Sequence, residues 1–199
     1  MTLQNRVDPF GALTAHAARG AMFGNRGGKF HRDDRTLGSR RHVSRRWISC
    51  VLEFNGRRRD VWGRFYTELF FLDEATALAA GHRPCYECRR HAAQAFAAGF
   101  AGGGAFAKAD DMDAALHAER LAGRAKRTHR CAIDALPDAA FVTFDGRQAF
   151  AVKGEALLPW SFAGYGAPAP RPRNVQIEVL TPPSILRALR NGYQPLWAA

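Results

Sequence analysis

Ala80-Gly81-His82-Arg83-Pro84-Cys85-Tyr86-Glu87-Cys88-Arg89-Arg90 is the stretch on which the reading of this chain turns. It holds two of the four cysteines as a Cys-x-x-Cys pair. Pro84 fixes its own φ and biases His82-Arg83 towards extended geometry, which sets Cys85 at a turn. Helix-like segments flank it, Asp73 to Ala80 before and Tyr86 to Ala98 after. A helix beginning at the pair would offer free N–H groups and a partial positive charge, both favourable to thiolates. The pattern suits a metal clip or a reactive thiol. The plain alternative is two small buried residues at a helix start.

Upstream, Asp73 followed by Glu74 reads as an N-cap with an acid in the first turn. Trp47 to Phe54 is rich in β-branched and aromatic residues and reads as a strand. Asn55-Gly56 is a hairpin turn signal, with Arg57 to Phe65 as the returning strand and Tyr66 to Leu72 as a further extended run. Alternation places Ile48, Cys50, Leu52 and Phe54 on one face, so Cys50 also reads as a small core residue. Arg57-Arg58-Arg59 would sit at the hairpin tip, tracking a phosphate backbone or solvating a turn. Met1 to Arg46 is weakly periodic and punctuated by glycines. Within it Asn25-Arg26-Gly27-Gly28-Lys29 is a basic loop that could approach a phosphate closely, without the Walker spacing.

Downstream, Gly99 to Gly104 reads as a loop or boundary. Asp110 to Arg120 reads as a helix, followed by the basic run Arg124 to Arg130. Phe141 to Phe144 and Arg147 to Val152 form a second hairpin about Asp145-Gly146. Pro168 to Pro172 is an extended linker, Val175 to Leu180 a strand, and Pro182-Pro183-Ser184 opens a closing helix that ends at Gly192.

Charge narrows the partner. The chain carries a formal +11 over 199 residues. Residues 1–60 alone hold 13 Lys/Arg against 5 Asp/Glu. Arginines far outnumber lysines, and guanidinium forks suit phosphate bidentately. A polyanion, nucleic acid first, is the expected partner; a basic surface kept for solubility is the alternative. No apolar run is long enough to span a bilayer, so a membrane-embedded class is excluded. The Met1–Phe10 segment carries Asp8 and Pro9 and no apolar stretch, so no signal peptide is expected and the expected location is cytoplasmic. Cysteines there serve as ligands or reactive thiols rather than disulfides.

Ile48-Ser49-Cys50, then Tyr66-Thr67-Glu68-Leu69-Phe70-Phe71, Glu74-Ala75 and Ala79 to Arg89 resemble the metal-binding domain of Ada-type DNA-repair proteins. The likeness spans roughly residues 48–90, and Arg-Pro-Cys-x-x-Cys-Arg is its most specific part. It implies a small sheet flanked by helices, zinc held by thiolates, and a cysteine at the place of Cys50 that accepts a methyl group from a DNA phosphotriester. Cys50, Cys85 and Cys88 carry over as ligands. The family's further cysteine falls at Phe54, and His82 stands where the family has phenylalanine.

Structural zinc asks for a fourth donor. Cys131, after Lys126-Arg127-Thr128-His129-Arg130, is the remaining cysteine and the expected fourth ligand; His31, His42, His91, His117 and His129 are rivals. A second constellation, His117-Ala118-Glu119 with Pro84-Cys85-Tyr86-Glu87-Cys88, has the parts of a zinc deaminase in reversed order. Trp160, Tyr165 and Trp197 read as core residues or as stacking platforms for bases.

The expectation is therefore an α+β protein, with a small zinc-stabilised hairpin or sheet flanked by helices and a second, hairpin-containing C-terminal part. The division would fall as 1–104 and 105–199, or the two parts would form one domain. Zinc on Cys50, Cys85, Cys88 and Cys131 is the expected cofactor. Arg45, Arg46, Arg57, Arg58, Arg83, Arg89 and Arg90 would carry DNA contacts in repair or modified-DNA processing. The alternatives are a deaminase and a structural zinc module that binds a protein partner.

Overall fold

The computed structural model describes residues 2–57, 60–103 and 106–198. Arg58 and Arg59 of the expected hairpin tip lie outside the described residues. The first sheet contains β1 (Gln4–Val7), β2 (Leu13–Ala15), β3 (Met22–Asn25), β4 (Ile48–Val51), β5 (Leu69–Phe71) and β6 (Arg83–Pro84). Their spatial order is β2-β1-β5-β3-β4-β6, with β1/β5 and β4/β6 parallel and the other pairs antiparallel. Three helices follow or interrupt it: α1 (Glu74–Ala79), α2 (Arg90–Ala101) and α3 (Ala109–Arg120). A short ribbon, β7 (Leu121–Ala122) with β8 (Ala125–Lys126), leads into the second sheet.

That sheet is antiparallel. It contains β9 (His129–Ala132), β10 (Phe141–Thr143), β11 (Ala149–Lys153), β12 (Ala156–Ser161), β13 (Gly164–Tyr165), β14 (Ala169–Pro170) and β15 (Gln176–Val179). Its order is β13-β12-β11-β10-β15-β9, and β14 pairs with β12. Helix α4 (Pro183–Arg190) closes the fold behind Pro182-Pro183, as proline at a helix start predicts. The expected α+β class is the one adopted. The largest core cluster joins Leu78 of α1, Phe96 of α2 and Leu116 of α3 to Phe141, Ala151 and Ile185. It thus draws on both sides of residue 104.

The first sheet corrects the reading of residues 1–65. The weakly periodic N-terminal stretch supplies three strands, and β3 rather than residues 57–65 pairs antiparallel with β4. Asn55 (φ 50°) and Gly56 (φ 66°) do form the left-handed turn, closed by the Arg57 N–H on the Phe54 carbonyl at 3.0 Å. No ladder follows among the described residues. Arg57 and Arg64 are exposed, and Trp62 is instead tucked inward, its backbone N–H on the Glu68 carboxylate (2.6 Å) and its ring N–H on the Glu68 carbonyl (3.1 Å).

Helix α1 forms where its cap predicts. The Asp73 Oδ1 accepts the Thr76 N–H at 2.8 Å, and all six helical residues are buried. Beyond it, Gly81 is required for space. A Cβ there would lie 2.7 Å from Arg120 Cδ and 2.9 Å from Arg120 Cβ, and its φ is +84°. The expected helix start at Tyr86 is also corrected. Residues 86–88 form a turn and α2 begins at Arg90, because the turn's N–H groups are spent on Cys85.

Candidate metal centre

Cys50 reaches the centre from β4, and Cys85 and Cys88 from the turn between β6 and α2. Parallel pairing of β4 with β6 sets the register, Ser49 opposite Pro84. The Cys85 N–H then donates to the Ser49 carbonyl at 3.0 Å, which carries Cys85 alongside Cys50. The Arg89 N–H closes the loop on the Cys85 carbonyl at 3.0 Å, and the Glu87 N–H donates to Cys85 Sγ at 3.4 Å. The three sulfurs lie within 4.8 Å of one another. Phe23, Ile48 and Phe70 pack around them.

This donor set fits a soft metal ion. Zinc–sulfur bonds of about 2.3 Å put tetrahedral sulfurs about 3.8 Å apart, so small side-chain rotations suffice. Sulfurs this close share protons. The Cys50 and Cys88 thiols donate to Cys85 and hold it far below the usual thiol range, while hydrogen bonding to Cys85, then to Cys88, pushes Cys50 up. All three ionise together only against a cation.

Two buried ion pairs fasten the loop at either end. Arg83 Nε and one terminal nitrogen donate to Asp113 at 2.8 and 2.7 Å. Arg89 donates to both Glu74 oxygens at 2.6 and 2.5 Å, and to Ser49 Oγ at 3.3 Å. Both arginines were expected on phosphate. Burial against carboxylates assigns them to holding the loop instead. Among the other expected contacts, Arg45, Arg46, Arg57 and Arg90 are exposed, with Arg46 on Asp110 at 3.1 Å and Arg57 on Glu87 at 2.7 Å. Arg58 lies outside the described residues.

Cys131 does not join the centre. It sits on β9 in the second sheet, opposite Ile177, and its thiol donates to the Ala132 carbonyl at 3.3 Å. The basic run before it enters β8 and β9, which carry it away from β4. The histidine rivals are placed elsewhere too. His31 Nδ1 is 2.8 Å from Thr67 Oγ1, His42 packs on Trp47 and His117, His91 is exposed on α2, and His129 lies on β9. Among the described residues the group therefore stops at three cysteines. The deaminase parts are not assembled. Glu119 accepts from the Ser184 N–H (2.9 Å) and hydroxyl (2.6 Å) at the start of α4, and His117 meets Arg120 at 3.2 Å. Trp160, Tyr165 and Trp197 pack against the largest core cluster.

The sulfurs open on a cleft of about 620 Å³ walled by Phe54, Phe65, Tyr66, Arg57 and Arg64. Phe65 is 70% exposed and Tyr66 47%. Arg64-Phe65-Tyr66 was missed as a site because it read as the junction of two extended runs, one ending at Phe65 and the next beginning at Tyr66; a cation beside two aromatics was the available signal. No family model, curated protein or solved structure matches the chain. No helix among the described residues is long and apolar enough to cross a membrane.

His82, in the same loop, gives a first expected result. Its ring packs on Phe71 and Trp47 with centroids at 4.7 and 5.0 Å, and Arg26 Nε donates to its Nε2 at 3.3 Å. Its Nδ1 has no hydrogen-bond partner. Burial, then the Arg26 and Arg120 guanidiniums, hold it well below 6.5. The unfolded chain takes up this proton near pH 6.5 and the folded chain only well below. Stability is therefore lost as pH falls under 6.5, by up to about 1.4 kcal/mol per pH unit. Urea midpoints measured from pH 7.5 down to 4.5 should fall less steeply in His82→Phe than in the wild type. Parallel curves would remove His82 from the account.

Proposed function

We propose that this protein holds zinc through Cys50, Cys85 and Cys88 and binds DNA across the thiol cleft, in repair or modified-DNA processing. The observation that carries the reading is the cleft itself, where three convergent sulfurs share a wall with exposed Phe65 and Tyr66 and with Arg57 and Arg64. Exposed aromatics stack on unpaired bases, and guanidiniums beside them take the phosphates. Zinc bound here would keep its sulfurs ionised at neutral pH. With three protein ligands the fourth position stays open to solvent or substrate. The chemistry implied by the Ada-type resemblance is methyl transfer. The Cys50 sulfur would form a bond to the methyl carbon, the carbon–oxygen bond would break, and the phosphodiester would leave as an anion.

Fluorescence anisotropy with single-stranded and duplex oligonucleotides over a salt series tests binding. Phe65→Ala should weaken single-strand binding by about 1–3 kcal/mol, roughly 5- to 150-fold. Arg64→Ala should flatten the duplex salt slope by about 0.9. Wild-type protein that binds neither strand form, while zinc is retained, would leave a scaffold for a protein partner. Intact mass after incubation with methylphosphotriester DNA tests the chemistry, with one added methyl mapped to Cys50 as the expected result.

A further inference from the structure

A second cavity, about 820 Å³, shares no lining residue with the thiol cleft. Its cations are Arg26, Arg120 and Lys126 with, at the rim, exposed Arg40, Arg41 and Arg124. No carboxylate lines it among the described residues. From outside the lining Asp8 acts on Arg26 and Lys126, its Oδ1 accepting the Ala12 N–H at 2.8 Å, and Asp113, already held by Arg83, acts on Arg120.

Arg26 and Arg120 are each only 1% exposed. Both guanidiniums lie over the Trp47 ring, 3.9 and 4.0 Å from its centroid. Their hydrogen bonds go to neutral acceptors. Arg26 reaches the Gly11 carbonyl at 2.9 Å and His82 Nε2 at 3.3 Å. Arg120 reaches the Gly81 carbonyl at 2.9 Å and the Arg45 carbonyl at 2.7 Å. Lys126 Nζ donates to the Ala79 carbonyl. Arg120 Nε and His42 Nδ1 are buried without a hydrogen-bond partner. Burial lowers Arg26 and Arg120 to about 9 and Lys126 to about 7.

Buried cations are ordinarily paired with an anion, because an uncompensated charge is strongly destabilising. Here the fold holds Arg26 and Arg120 buried side by side, with the half-buried Lys126 beside them, and Gly81 is kept free of a Cβ so that Arg120 can lie there. The missing partner is an anion supplied from outside. Its size is bounded by a cavity within the range of small-ligand sites. Its charge is bounded by six cations, which favour more than one negative charge, and guanidinium forks match phosphate oxygens. Phe10, Leu13 and Val43 add apolar lining that a bare inorganic ion would not use.

We propose that this cavity binds a nucleotide-sized organic phosphate, its phosphates on Arg26, Arg120 and Lys126 and its apolar part against Phe10 and Leu13. The site stands whether or not the thiol cleft binds DNA.

Isothermal titration calorimetry of the full chain in chloride buffer tests it, with ADP, inorganic pyrophosphate and a short single-stranded oligonucleotide as probes. ADP and pyrophosphate should each bind one per chain and raise the melting temperature, ADP more tightly. Arg41→Ala and Arg124→Ala, both at exposed positions and checked for an unchanged melting temperature of the free protein, should each weaken ADP, and together at least tenfold. Lys126→Met should weaken ADP as well, because it removes a half-buried cation that donates to the Ala79 carbonyl and has no carboxylate within the cavity lining. Failure of ADP and pyrophosphate to bind at millimolar concentration overturns the site, as does unchanged ADP affinity in the double variant. An oligonucleotide that binds through Arg41 and Arg124 while ADP does not would assign the cavity to nucleic acid and overturn the free-nucleotide proposal.

Discussion

Cys85→Ser is expected to lose the metal and, with it, most of the folded signal. Cys85 accepts from both neighbouring thiols and from backbone N–H groups, so it is the sulfur around which the loop is wound. Removing it leaves Cys50 and Cys88 too few donors for tight zinc binding. Metal bound by such sites contributes folding free energy on the order of 10 kcal/mol. A domain is stable by only about 5–15 kcal/mol in total, so that loss approaches the whole. Elemental analysis of protein purified without chelator should give one zinc per chain. Circular dichroism should show wild-type protein unfolding as a chelator strips it. Protein that emerges metal-free and still melts cooperatively at an unchanged temperature would sink the metal assignment.

The second large effect is expected at Glu74. Its carboxylate is fully buried and receives Arg89 on both oxygens, the Tyr193 hydroxyl at 2.5 Å and the Leu196 N–H at 2.9 Å. Glu74→Gln leaves the Arg89 guanidinium buried without its anion. Breaking a buried pair by removing one partner costs about 3–5 kcal/mol. For a chain of this size that shifts the melting temperature by roughly 6–20 °C. Arg89→Met should cost a similar amount, and the double variant less than the sum, since neither charge is then stranded. Zinc affinity should fall in both single variants, because Arg89 ends the loop that carries Cys88. A loss below about 1 kcal/mol in Glu74→Gln would mean water has replaced the pair.

Some of this was legible in the chain and some was not, for identifiable reasons. Cys85, Cys88 and Cys50 could be read because proline and two-residue spacing are local, and because Cys50 lay in a strand-like run. Asp73 could be read because capping is decided within three residues. Arg83 and Arg89 were misread because charge was taken as exposure, whereas their partners, Asp113 and Glu74, are 30 and 15 residues away. Cys131 was chosen by elimination, and nothing local says which sheet a cysteine will join. β1, β2 and β3 are three or four residues long, too short for periodicity to register. The cationic cavity was invisible for a related reason. Arg26 is remote in sequence from Arg120 and Lys126, and the loop motif at Asn25 to Lys29 pointed to glycine N–H groups rather than to the Arg26 side chain.

The partners of Glu74 and of the α1 cap Asp73 carry a consequence for how the protein is made. Glu74 is completed by Tyr193 and Leu196, and Asp73 by the Ala198 N–H, across 119, 122 and 125 residues. During synthesis the three thiols leave the ribosome well before those partners. Until then the Glu74 carboxylate lacks two of its buried donors, and its pair with Arg89 stands open to water, which weakens it. Such long-range closure is slow, and it exposes intermediates to misassembly. A chain truncated after residue 103 would then carry all three cysteines without the donors that complete Glu74, and its three-sulfur loop is expected to be held less firmly than in the full chain.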